Sequence, residues 1–103
     1  MKRIIKGKVY NTETAERIAE WSNNYYPNDF NYCEEALYRT HKGAWFVAGN
    51  GGALSKYAQA VPGGSGGGEG LEPLTADEAR EWLERHDFTA ELEEHFGSEI
   101  EEA

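Results

Sequence analysis

Few residue types in this chain are spaced for chemistry. Cys33 could serve as a thiol nucleophile and His41 as its base, but one strand's length separates them and no third group orients the pair. Cys33 therefore reads as a small apolar residue at the start of a strand, with a Cys33 hydrolase as the remote alternative. Glu34 and Glu35 could form an acid/base pair, yet adjacent residues on an extended strand point to opposite faces. Gly49-Asn50-Gly51-Gly52-Ala53-Leu54-Ser55-Lys56 lacks the glycine-lysine-hydroxyl ending of a phosphate loop, and no G-x-G-x-x-G register occurs. The single cysteine and three scattered histidines, His41, His86 and His95, have no paired metal-ligand spacing. No catalytic residue, metal or cofactor is expected, and the chain does not read as an enzyme.

Two features point to binding. Tyr25, Tyr26, Phe30 and Tyr32 cluster in a segment whose turns are set by Pro27 and neighbouring Asn and Asp residues. Exposed, they would anchor a partner; otherwise they cover the open face of a small sheet. The other feature is acidic. Asp77, Glu78, Glu81 and Glu84 lie away from the Trp82 stripe of one expected helix, and Glu91, Glu93 and Glu94 follow on another. Neighbours at i, i+3 and i+4 on a helix lie about 5–6 Å apart, and nucleic-acid charges recur about every 3.4 Å along one strand. Nucleic-acid mimicry is geometrically possible, against the plainer reading of a solvated face with pairs such as Glu81–Arg85.

Charge and composition bound the rest. The chain has 103 residues, a net charge of -9 and 13% aromatic residues. That length makes one domain burying about 65% of its unfolded surface, and the aromatic content argues against disorder. Residues 1–60 carry eight Lys and Arg against six Asp and Glu, whereas residues 61–103 carry Arg80 and Arg85 against thirteen acids. The acidic half should repel phosphate, which disfavours direct nucleic-acid binding; Lys2, Arg3, Lys6 and Lys8 are the most the chain offers as a basic edge. It should instead attract proteins with basic surfaces. No apolar run approaches the roughly 18 residues of a membrane span, the start has no signal-peptide core, and one cysteine suits a reducing cytoplasm.

The expected fold is α+β: a small antiparallel sheet with one N-terminal helix and a C-terminal helix pair packed on it. Residues 4–10 read as a hairpin around Lys6-Gly7. Asn11 or Thr12 caps a helix whose stripe is Ala15, Ile18, Ala19 and Ser22. Residues 36–40 and 44–48 form a second hairpin, the latter strand central, and Gly49 to Gly52 break it. Residues 54–60 fit either a helix or a strand. Residues 61–70 read as a flexible Gly-rich loop, and residues 71–74 as an edge strand tolerant of Pro73. A Thr75–Glu78 capping box opens a helix to about His86. Phe88, Leu92 and Phe96 mark another, closed by Gly97. Residues 1–97 form the domain and 98–103 an acidic tail.

Four segments carry a resemblance as a group. They are N-T-E-T-A-E-x-I-A-E-W-S-N (11–23), E-x-L-Y-R-T-x-x-G-x-W-F (35–46), G-x-G-G-A-L-S-K-Y-A (49–58) and P-L-T-x-D-E-A-x-x-W-L-E-x-H (73–86). Together the chain resembles a family of small acidic proteins carried on bacterial phages and mobile elements, of the kind that includes anti-CRISPR proteins. The resemblance implies action inside the bacterial host cell and supplies no catalytic residues. With the acidity, it leads to the expectation of a non-enzymatic inhibitor. Such a protein would bind a host effector, a CRISPR complex above all, and block target DNA through Asp77, Glu78, Glu81, Glu84, Glu91 and Glu94. The alternative is a small adaptor or regulatory protein of the element, binding through Tyr25, Tyr26, Phe30 and Tyr32.

Overall fold

The computed structural model describes all 103 residues, as an antiparallel α+β arrangement in three layers. The middle layer is a four-stranded antiparallel sheet in the order β3-β4-β5-β8, built from β3 (Glu16–Ser22), β4 (Cys33–Arg39), β5 (Trp45–Gly51) and β8 (Gly68–Leu74). Helices α1 (Ala76–Arg85) and α2 (Thr89–Phe96) cover one face. A hairpin of β1 (Lys2–Ile5) and β2 (Lys8–Asn11) leans on the other. A smaller hairpin, β6 (Gln59–Val61) with β7 (Gly64–Gly66), completes the chain.

Alternation along β4 and β5 explains the layers. Leu37, Trp45 and Val47 face the helices and join Ala19, Ala79, Trp82, Leu83 and Phe96 in the main core. Tyr38 and Phe46 point the other way, where Phe46 stacks on Tyr38 at 5.1 Å and meets the edge of Tyr10 at 5.5 Å. Phe46 is fully buried there, so the hairpin's Tyr10 closes a second, smaller core. Lys6 and Gly7 both take positive φ, 51° and 78°, the conformation that a two-residue hairpin loop needs.

There is no N-terminal helix: both helices are C-terminal. Asn11 does make the local capping contact, its Oδ1 accepting from the Glu13 N–H at 2.9 Å, and the Ala15 N–H reaches the Asn11 carbonyl. The turn closes once, and the chain then extends into β3. A β-bulge between Arg17 and Ala19 lets Ile18 and Ala19 both pack on the core side. That doubling imitates the i, i+3, i+4 spacing of a helical stripe, although the periodicity is that of a bulged strand.

The glycine-rich segments also behave as strand. β5 does not break at Gly49 but runs through Gly51, paired with β8 from Gly51↔Gly68 to Trp45↔Leu74. Residues 61–70, expected as a flexible loop, hold the end of β6, all of β7 and the start of β8. Pro73 lies on β8, the sheet edge, as its missing N–H requires. Residues 53–57 are turns leading into β6.

The capping box is complete: Thr75 Oγ1 accepts from the Glu78 N–H at 3.1 Å, and the Thr75 N–H donates to Glu78 Oε1 at 2.8 Å. After α1 the Phe88 N–H donates to the Leu83 carbonyl and the Asp87 N–H to that of Glu84, with Asp87 at φ 61°. This is a Schellman-type end with Asp in the left-handed position. Gly97, expected left-handed after α2, instead has φ -55° and continues into a 3-10 turn over Gly97–Glu99.

Candidate functional site

The helical layer holds the charge. Residues 75–103 carry eleven Asp and Glu against Arg80 and Arg85, a net of -9, while residues 1–74 balance eight against eight. Burial of Ala79, Trp82 and Leu83 turns Asp77, Glu81 and Glu84 outward on α1, all exposed. Arg80 reaches Glu84 at 4.0 Å and Glu99 at 3.6 Å, and His95 approaches Glu94 at 3.3 Å. Asp77, Glu81, Glu91 and Glu93 have no cationic partner, and the expected Glu81–Arg85 pair does not form. Glu78 is exposed but engaged in the capping box, and Glu91 is half-buried. α1 and α2 pack on each other, so the exposed acids of both helices lie in the same layer.

The aromatic segment is split by the fold. Tyr25, Tyr26 and Phe30 are 49%, 81% and 67% exposed, so they do not cover the sheet. Tyr32 does not share their surface; it is half-buried and its hydroxyl donates to Glu34 Oε2 at 2.5 Å. Leu54, 67% exposed, lies beside Phe30 because its N–H donates to the Phe30 carbonyl at 2.8 Å. The end of the molecule formed by residues 25–30 and 54 is thus apolar at its surface.

Glu34 and Glu35 do face opposite ways, and Glu35 is the side chain whose setting the sequence concealed. Only 4% exposed, it accepts from Trp82 Nε1 at 3.0 Å, from the Tyr57 hydroxyl at 2.5 Å and from Lys56 Nζ at 2.7 Å. Burial pushes its carboxyl up, but the hydrogen bonds from Lys56, Tyr57 and Trp82 outweigh it and hold the group below the usual range. Burial and the same carboxylate push the Tyr57 hydroxyl far up. This knot fastens residues 52–58 onto β4 and α1. It requires bare backbone beneath: a Cβ on Gly49 would sit 2.6 Å from the Tyr57 hydroxyl, and one on Gly52 would sit 2.5 Å from the Phe30 carbonyl. E-x-L-Y-R-T and G-x-G-G-A-L-S-K-Y-A are therefore two halves of one structural contact. Lys56 and Tyr57 lie beyond the sequence range over which pairing can be read, so no local signal joined them to Glu35.

Cys33 opens β4, buried, with its thiol pushed up by burial and by Glu35; His41 lies exposed in the turn at the far end of that strand. The structure does not bring them together. No three His, Cys, Asp or Glu side chains are placed to hold a metal ion, and no helix is long and apolar enough to cross a membrane. No family model, curated protein or solved structure matches the chain.

Proposed function

We propose that this protein is a non-enzymatic inhibitor in the bacterial cytoplasm, of the anti-CRISPR kind. It lays the outer face of α1 and α2 into the basic channel of a nucleic-acid-handling effector and so blocks target DNA. One observation supports this above the rest: the chain's whole net charge resides on residues 75–103, on one side of the sheet, largely without cationic partners. A surface so charged competes for a channel that holds a guide–target duplex by its backbone.

The test is charge reversal at Asp77, Glu81 and Glu84, which touch neither the core nor the capping box. Glu78 must be spared, because losing its side chain would weaken the start of α1. Effector complexes of each CRISPR type are assayed for target-DNA binding with and without the protein. The wild type should inhibit one of them. Asp77→Lys/Glu81→Lys/Glu84→Lys should lose that inhibition while unfolding at nearly the same temperature; undiminished inhibition rejects the reading.

The exposure of Tyr25, Tyr26, Phe30 and Leu54 favours a second reading, an adaptor that buries this apolar end in a partner. Tyr26→Ala/Phe30→Ala should then abolish binding where charge reversal does not.

A further inference from the structure

The first hairpin concentrates the opposite charge. Lys2, Arg3, Lys6 and Lys8 all lie on β1, β2 or the turn between them, with no acid before Glu13. All four are exposed and none is in an ion pair. Register places Lys2 opposite Asn11 and Ile4 opposite Val9 on the outer side, while Tyr10 turns inward to Phe46 and Arg3 and Lys8 lie on its face of the ribbon. Ile4 and Val9 are 68% and 52% exposed. Tyr10 anchors the base of the hairpin, and Lys6-Gly7 forms its tip.

We infer that this two-stranded ribbon is a nucleic-acid-binding arm, which enters the major groove of a duplex with its cations on the phosphates. The total charge of the chain argued otherwise, but the fold separates the charges. The hairpin and the acidic face of α1 and α2 lie on opposite sides of the sheet. The sheet stands between the two, and the Debye length is only about 8 Å at physiological salt. Phosphates at the ribbon are screened from the helices. The ribbon fits in size: strands about 4.8 Å apart enter a groove about 12 Å wide that is known to admit such ribbons. Outward Ile4 and Val9 meet thymine methyls with Lys2 and the tip Lys6 on the backbone beside them, and the long side chains of Arg3 and Lys8 reach phosphates from the ribbon's other face. An anionic membrane is the poorer match, because a cation and a glycine occupy the tip where an inserting hairpin would carry apolar side chains.

The inference goes beyond the inhibitor reading and stands or falls separately. The test titrates full-length protein against a fluorescein-labelled 20-base-pair duplex by anisotropy, from 20 to 200 mM salt. Saturable binding is expected, with log K falling against log salt at a slope of about -3.6, four phosphates at about 0.9 each. Lys2→Gln/Lys6→Gln/Lys8→Gln should bind at least tenfold more weakly at 50 mM, with a slope near -1. Lys2→Arg/Lys6→Arg/Lys8→Arg should bind as the wild type does, and Asp77→Asn/Glu81→Gln/Glu84→Gln should change affinity less than threefold. No saturable binding at 20 mM, or binding that survives the Gln substitutions, overturns the inference. So does stronger hairpin-dependent binding to phosphatidylserine vesicles, or to a second copy of the chain, than to the duplex.

Discussion

Glu35 and His86 set how this protein responds to acid. His86 lies half-buried against Trp21 at 4.3 Å and the edge of Trp82 at 4.8 Å, and its Nε2 is buried without a partner. Burial, then Arg85, push it below its ordinary 6.5, so the folded state holds the ring neutral while the unfolded chain protonates. Stability should therefore fall as pH drops through about 6.5, since the unfolded state binds more protons there. Glu35 acts later: its folded value lies below the ordinary 4.5, so its contribution is present above 4.5 and lost as pH falls through the lower value. Urea midpoints measured from pH 8 to 3 should decline in two stages. His86→Phe should remove the first stage and leave the second. Glu35→Gln should cost about 2 kcal/mol at neutral pH, stranding the Tyr57 hydroxyl while the exposed Lys56 ammonium turns to water, and should flatten the second stage. That Glu34 and Glu35 oppose each other was legible from strand geometry. The burial of Glu35 was not, because its donors come from turns and a helix far along the chain.

Among the elements, legibility followed how local the determining contacts are. The Lys6-Gly7 hairpin, the residues 40–44 turn and the Thr75–Glu78 box depend on neighbours within a few residues, and all three form as read. β3 depends on pairing with β4 and on a bulge at Ile18, neither of which has a local signature, so its apolar spacing alone reads as a helix. The glycine-rich strands fail propensity for a similar reason. Their glycines are used where Tyr57 and the 29–32 backbone press on the sheet, and propensity carries no account of close approach. Gly49→Ala should therefore destabilise by about 2–3 kcal/mol through overpacking against Tyr57, seen as a lower urea midpoint. Asp87, held at φ 61°, offers the reverse. Asp87→Gly relieves a left-handed residue and removes an anion from the C-terminal end of α1, and it should gain about 0.5–1 kcal/mol in the same assay.

Across the whole molecule the charge is divided: a sheet whose strands carry two Arg against six Glu separates an acidic helical layer from a small basic arm. Net charge was legible from composition, but this division depends on which face of the sheet each element packs against. An inhibitor so built could hold an effector with one side and reach its nucleic acid with the other. Association through the helical layer should then be steered electrostatically, and the association rate should fall at least tenfold between 50 mM and 500 mM salt, as screening shortens the reach of the acidic face. Truncation before Ser98 removes Glu99, Glu101 and Glu102, three of the eleven acids in the layer. It also breaks the partly exposed, 3.6 Å Arg80–Glu99 contact, which is worth about 1 kcal/mol, so folding should persist. Its association at low salt should be about two- to threefold slower, and its salt dependence shallower. Binding through Tyr26 and Phe30 predicts a different pattern, since apolar burial is not screened. An association rate that stays flat from 50 to 500 mM salt would transfer the interface from α1 and α2 to that aromatic end.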